Sequence, residues 1–122
     1  MTINISWKWI KPYNENNQGN APQSGGVYEI LAKNDEGKYN RKYVGSADNL
    51  NKRYGEHLSS NEPNQKIKNG VKSLDCAFDY YVIDNKSTRE NVENWLYHHH
   101  TYPWNECEPP GNGNQVEVTE EN

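Results

Sequence analysis

The stretch from Gly25 to Leu58, "GGVYEILAKNDEGKYNRKYVGSADNLNKRYGEHL", sets Tyr28 and Tyr43 in short apolar words and then places Arg53 and His57 four residues apart. An arginine carries a permanent charge on a planar fork that matches phosphate oxygens. An imidazole titrates near neutrality and can move a proton at physiological pH. A free phenol titrates at about 10, so about 0.1% is phenolate at pH 7, and a cation must lower that value before tyrosine acts as a base. Phosphate binding joined to proton transfer is the chemistry these four side chains suit.

Positioning them requires a hairpin and a helix. Val27 to Ala32 and Arg41 to Ser46 flank "KNDEGKYN", whose Asn, Asp and Gly favour a reversal. With the turn centred on Asp35 and Glu36, Tyr28 lies opposite Tyr43; centred on Glu36 and Gly37, the two are diagonal neighbours. Pairing partners move by two, so both tyrosines share one face in either register. Asp48 is placed to cap a helix whose Leu50, Tyr54 and Leu58 form a stripe, with Arg53 and His57 one turn apart beside it. Gly55 weakens that helix by about 1 kcal/mol relative to Ala, so tertiary contacts must help hold it.

"NEPNQKIKNG" reads as a second helix, with Pro63 near its first turn and Gly70 at its end. Leu74, Cys76, Phe78, Tyr80 and Val82 alternate with polar or small residues as a third strand. "STRE" supplies a capping box, Ser87 with Glu90, for a last helix to about Thr101 with Val92, Trp95, Leu96 and His99 on its buried stripe and Glu93 off it. Ile3, Ile5, Trp7 and Trp9 alternate as an extra N-terminal edge strand and are the candidate surface for a homodimer. The expected division is 1–24, a strand-like extension and loop; 25–105, one domain; and 106–122, an acidic mobile tail.

Composition bounds the function. A chain of 122 residues with an apolar fraction of 32%, 4 Trp and 9 Tyr can build one aromatic-assisted core. The formal net charge of -4 conceals an asymmetry, because residues 106 to 122 hold five acids and no Lys or Arg. Between Lys38 and Lys72, eight bases face three acids. Lys42, Lys52, Lys66, Lys68 and Lys72 are the candidate nucleic-acid contacts of that stretch. The start lacks a signal-peptide pattern and no run spans a membrane, so a cytoplasmic protein with Cys76 and Cys107 as free thiols is expected. His98, His99 and His100 cannot chelate one ion, since successive helix positions point about 100° apart. His100, seven residues from Glu93, is the one candidate for a contact to the site or to nucleic acid.

The order of these pieces resembles the GIY-YIG nuclease family. "GVY" (Gly26 to Tyr28) stands for the first family word and "YVG" (Tyr43 to Gly45) for the second. Arg53 matches the helix arginine, His57 the Tyr-or-His position one turn later, Glu93 the single glutamate and Asn105 in "PWN" the closing asparagine. The resemblance covers about residues 25 to 105. It implies an α/β fold, a small antiparallel three-stranded sheet flanked by helices, and metal-dependent hydrolysis of DNA phosphodiesters with Tyr28, Tyr43, Arg53, His57, Glu93 and Asn105 as the catalytic set.

Within that resemblance Glu93 would hold one Mg²⁺ or Mn²⁺ that keeps most of its waters. Tyr28 and His57 both stand as candidate general bases, and Asn105 fixes the end of the last helix or orients a site group. The link from Tyr28 to Tyr43 is longer than usual for the family, and the chain resembles its stand-alone members. A non-catalytic module on the same fold, binding nucleic acid or protein, is the competing reading, and there the acidic tail could occupy the chain's own basic face.

Overall fold

The computed structural model describes residues 1–121, so the part of the expected tail at residue 122 lies outside the described residues. The strands are β1 (Thr2–Ser6), β2 (Lys8–Ile10), β3 (Gly26–Lys33), β4 (Tyr39–Ala47), β5 (Cys76–Val82) and β6 (Glu117–Glu121). The α-helices are α1 (Leu50–Leu58), α2 (Gln65–Ser73) and α3 (Lys86–His99). The expected three strands form one antiparallel sheet, and β2 adds a fourth, in the order β2-β5-β3-β4. β4 is therefore an edge. The fold is the expected α/β arrangement, an antiparallel sheet flanked by helices with an extra N-terminal strand.

β3 is central and buried along nearly its whole length, as its run of apolar residues dictates. Tyr28, Ile30 and Ala32 face one way and pack with Leu50 and Tyr54 of α1, Ile67 of α2 and Phe78 of β5. Val27 and Val44 face the other way, against Val92 and Leu96 of α3 and Ile5, Trp7 and Val118. Burying side chains of this size stabilises the fold by about 1.5–3 kcal/mol each, and the sheet is held by a core on each face.

The hairpin adopts the diagonal arrangement, Tyr28 opposite Gly45 and Ile30 opposite Tyr43. It does so by a bulge and not by the turn alone. The loop runs from Asn34 to Lys38, with Asn34 Oδ1 accepting from the backbone N–H of Glu36 at 2.9 Å and of Lys38 at 3.0 Å. Lys33 then pairs with Tyr39, and the register shifts between Ile30 and Leu31 because Lys42 is an extra residue on β4.

All three helices begin on an asparagine, which corrects the expected caps. Asn49 caps α1 and Asp48 instead pairs with the Arg89 guanidinium. Asn85 caps α3, two residues ahead of Ser87 in the expected Ser87 and Glu90 box, and Asn64 caps α2 after Pro63. An asparagine oxygen accepts the free N–H groups of a first turn as well as Asp or Ser does, so identity alone does not choose among neighbours. Gly70 lies inside α2 and not at its end, because a Cβ there would come within 2.2 Å of the Trp104 ring. α2 runs on to Ser73, which leaves Leu74 as an exposed cap and starts β5 at Cys76.

Two larger expectations are overturned. Residues 3–9 do not make one strand: the chain turns at Trp7, and β1 leaves the main sheet to pair in parallel with β6. Ile5 and Trp7 are buried inside the chain and Ile3 is half-buried beside Val118, so this row is a core and not a dimer edge; of the four only Trp9, at 39%, is exposed. Residues 106–121 are not without regular structure, since they close on β6 paired with β1. Val116 and Val118 alternate inward while Glu117 and Glu121 face out, which gives β6 its pairing face. Asn94 ties the preceding loop down, donating to Glu108 Oε2 at 3.0 Å and Pro109 O at 3.1 Å and accepting from Gly113 N at 3.0 Å. No helix among the described residues is long and apolar enough to cross a membrane.

Candidate active site at the edge strand

The tyrosines, the arginine, the histidine and the glutamate meet at the exposed edge of the sheet, on both sides of β4. Tyr28 is fully buried and stacks on Phe78 with ring centroids 5.2 Å apart. Its hydroxyl passes beneath β4 at Gly45, where a Cβ would lie 2.4 Å from the hydroxyl oxygen. Glycine in "YVG" is thus required by a close approach. α1 brings Arg53 and His57 to that point one turn apart, as the spacing predicts.

His57 is buried and bridges two acids. Its Nε2 is 2.6 Å from the Tyr28 hydroxyl, and its Nδ1 is 2.8 Å from Glu62 Oε1. The half-buried Tyr43 ring stands 6.1 Å from the Tyr28 ring and 5.3 Å from His57, edge-on to the imidazole. Arg53 donates from Nε to Glu56 Oε1 at 3.0 Å on the helix surface.

Burial pushes the Tyr28 phenol well above its ordinary value, the neighbouring Tyr43 adds to the rise, and the Arg53 guanidinium beside it opposes without winning. Tyr43 is raised as well, first by burial and then by the charge of Glu93. The Arg53 guanidinium alone therefore does not make Tyr28 a ready phenolate.

Glu93 reaches the same edge from α3 on the opposite face. It is 7% exposed, which corrects its expected place off the buried stripe, and its Oε1 accepts from the Ser46 hydroxyl at 2.6 Å. Burial lifts its carboxyl to about 7, while the Ser46 hydrogen bond and Arg53 pull it back. No trio of His, Cys, Asp or Glu able to hold a metal forms among the described residues. A lone hard oxygen ligand whose buried charge lacks an ion-pair partner nevertheless fits one hydrated divalent cation, which would supply the missing positive charge.

Two grooves flank the edge and meet at Arg53 and Glu56. One, of about 490 Å³, is lined by Ser46, Asn49, Lys52 and Lys86. The other, of about 630 Å³, is lined by Tyr43, His57, Glu62 and Asn105. Asn105 does not close the last helix. Its side-chain amide accepts from Val44 N at 2.9 Å and donates to Val44 O at 3.0 Å, so it caps the free edge of β4 between the residues that carry the site.

The remaining candidates scatter. Among the lysines expected to contact nucleic acid, only Lys52 lines these grooves; Lys42 lines a groove on the back of the sheet, Lys66 donates to Pro103 O at 3.2 Å, and Lys68 and Lys72 lie on α2 away from both. His100 is drawn off by β6, its Nε2 lying 2.6 Å from Glu120 Oε2, so it is not near Glu93's partners. Glu120 also accepts from Arg41 at 2.9 Å, and in this way the acidic end covers part of the chain's own basic stretch, away from the edge of β4. His98 pairs with Glu108 and His99 stacks on Trp95 instead of joining the buried stripe, so the three imidazoles point three ways. Glu62, Ser46 and Lys86 are the site residues that sequence reasoning missed. None lies in a motif, and only the α1–α2 turn, the sheet edge and the start of α3 bring them in.

The family model of the GIY-YIG catalytic domain matches residues 24–103. Comparisons with curated proteins and with solved structures found no match. The matched segment spans well over half of the 122 residues and takes in the hairpin, α1, α2, β5 and α3 that build the edge site. The chain belongs to the GIY-YIG catalytic domain family, whose members are nucleases in general.

Proposed function

We propose that this protein is a divalent-metal-dependent endonuclease that hydrolyses DNA phosphodiesters at the single site on the edge of its sheet. The observation that carries the reading is the convergence there of Tyr28, Tyr43, Arg53, His57 and Glu93 from four separate elements, β3, β4, α1 and α3. Any one of them alone has a packing role elsewhere in proteins.

Glu93 would hold the metal, Mg²⁺ or Mn²⁺. When bound, the ion supplies positive charge for the developing phosphorane and the leaving oxygen. Arg53 receives the scissile phosphate on a guanidinium whose Nε is taken by Glu56 and which also reaches the Tyr28 hydroxyl oxygen. Because burial disfavours an isolated Tyr28 phenolate, Tyr28 acts together with His57, taking a proton from the attacking water as its own proton passes to Nε2. Tyr43 walls the water's approach, and Asn105 holds the strand that carries Tyr43.

One such site cuts one strand per visit. Lys52 and Lys86 line the approach groove and are the lysines placed to meet the flanking phosphates. The free thiols of Cys76 and Cys107 fit a reducing compartment, and we place the activity in the cytoplasm. Incubation of supercoiled plasmid with Mg²⁺ or Mn²⁺ tests the proposal. The parent nicks, and EDTA or Glu93→Ala stops it; a parent that binds DNA but leaves plasmid, branched and single-stranded substrates uncut makes the chain a binding module.

A further inference from the structure

Glu62 stands in the short turn between α1 and α2, where its backbone N–H donates to Ser59 O at 3.2 Å and Asn64 begins the next helix. A carboxylate in such a turn belongs in water, yet this side chain is only 8% exposed. Burying it is costly unless a donor receives it. The donor is His57 Nδ1 at 2.8 Å, and His57 in turn is only 5% exposed.

That contact decides more than packing. An ionised carboxylate can only accept, so Nδ1 must carry a hydrogen. In the neutral ring Nε2 then holds the lone pair, and at 2.6 Å from it the Tyr28 hydroxyl must be the donor. The direction of the Tyr28 hydrogen bond is thus set from Glu62, through a ring it holds by its far nitrogen. Were the tautomer reversed, Nε2–H would point at Tyr28 and the phenol would have nowhere to send its proton.

We propose that Glu62 is a positioning residue of the reaction, which fixes His57 as the acceptor of the Tyr28 proton and so makes Tyr28, His57 and Glu62 one proton relay. The proposal rests on the nuclease reading above. In the step it serves, the attacking water gives a proton to the Tyr28 oxygen while the Tyr28 proton moves to His57 Nε2. The water oxygen bonds to phosphorus, the bond from phosphorus to the leaving ester oxygen breaks, and that oxygen takes a proton from solvent. The imidazolium left behind faces Tyr28 from β3, Tyr43 from β4 and Arg53 and Glu56 from α1, with Glu93 across the edge. Arg53 opposes a second positive charge there, and the Glu62 carboxylate in direct contact offsets it.

The test uses the full chain with Glu62→Gln and Glu62→Ala, both checked for folding by circular dichroism. Gln keeps a hydrogen-bonding oxygen of nearly the same shape without the charge, so it remains informative if Ala does not fold. ¹⁵N NMR of the metal-free parent shows His57 protonated at Nδ1 and not at Nε2 when neutral, and Glu62→Ala loses that preference. In plasmid nicking, Glu62→Gln lowers kcat about 100-fold with KM for DNA within about threefold, the scale of a lost general-base contribution. The acid limb of its kcat profile moves toward lower pH, since the imidazolium has lost its counter-charge. A purely structural Glu62 would leave that limb in place.

An Nε2–H tautomer in the parent, or a Glu62→Gln enzyme with unchanged kcat and pH profile, overturns the relay. If the parent does not cut DNA, the nuclease reading fails by itself, and the tautomer measurement still decides whether Glu62 governs the Tyr28 hydrogen bond.

Discussion

Glu93 carries a cost that its position explains. Its carboxyl is raised to about 7 chiefly by burial, and a rise of that size corresponds to about 3 kcal/mol. A raised folded pKa gives stability that is complete below the unfolded value and is lost as pH climbs through the folded one. The metal-free parent therefore loses stability between about pH 4.5 and 7, and Glu93→Gln, which cannot ionise, does not. Thermal melts in EDTA at pH 5 and pH 8 check this: the variant gains on the parent only at the higher pH, while it loses nicking altogether. The same scale holds Arg53, whose Nε is held by Glu56 in a half-exposed pair. Glu56→Gln frees Nε, and DNA binding measured by fluorescence anisotropy tightens by about two- to threefold, since an exposed pair of this kind is worth under about 1 kcal/mol. Tyr28, Tyr43, Arg53 and His57 were legible because chemistry and spacing pick them out, and Glu93 only through the family resemblance; Glu62 and Ser46 were not, because their partners lie on other elements.

The edge strand is where the elements serve the site. β4 must let the Tyr28 hydroxyl through, present Tyr43 and Ser46, and still not offer its open edge to another chain. Gly45 meets the first need and Asn105 the last. Gly45→Ala forces a methyl against a fully buried phenol, so it destabilises by about 1–3 kcal/mol and displaces Tyr28 from His57; urea unfolding and nicking both register the loss. Hairpin, helices and third strand were readable from periodicity. Their exact ends were not, since three asparagines compete as caps with the adjacent Asp48, Pro63 and Ser87.

Across the whole molecule, the two chain ends close the face opposite α1 and α2. β1 and β6 pair over a core that holds Ile5, Val116 and Val118, and Glu120 ties Arg41, Trp7 and His100 together. A chain ending at Val116 uncovers Ile5 and loses Val118, so it is less stable by about 3 kcal/mol or more, with the edge of β4 and its site left in place. The alternation in "QVEVTEE" was there to be read, but the charge of the segment masked it. Beneath this strap, Glu29 and Asp79 face each other across β3 and β5, each with one buried oxygen that finds no donor among the described residues. Burial, and then the charge of Glu29, push Asp79 well above the usual carboxylate range. A proton on Asp79 can then be shared with Glu29. Stability from this pair is present below the ordinary carboxylate pKa and lost as pH rises through the raised one. Asp79→Asn, which donates without titrating, flattens the parent's stability profile on the alkaline side in melts from pH 5 to 9.

The most direct measurement of the central claim is single-turnover cleavage of a labelled DNA duplex with Mg²⁺ or Mn²⁺ by the parent and by Tyr28→Phe, with DNA affinity measured separately in EDTA. Loss of one hydroxyl at the end of the relay lowers the cleavage rate by about 100-fold or more and leaves affinity within about twofold. A Tyr28→Phe protein that cuts as fast as the parent contradicts the account, because the chemistry would then lie somewhere other than the edge where Tyr28, His57 and Glu93 meet.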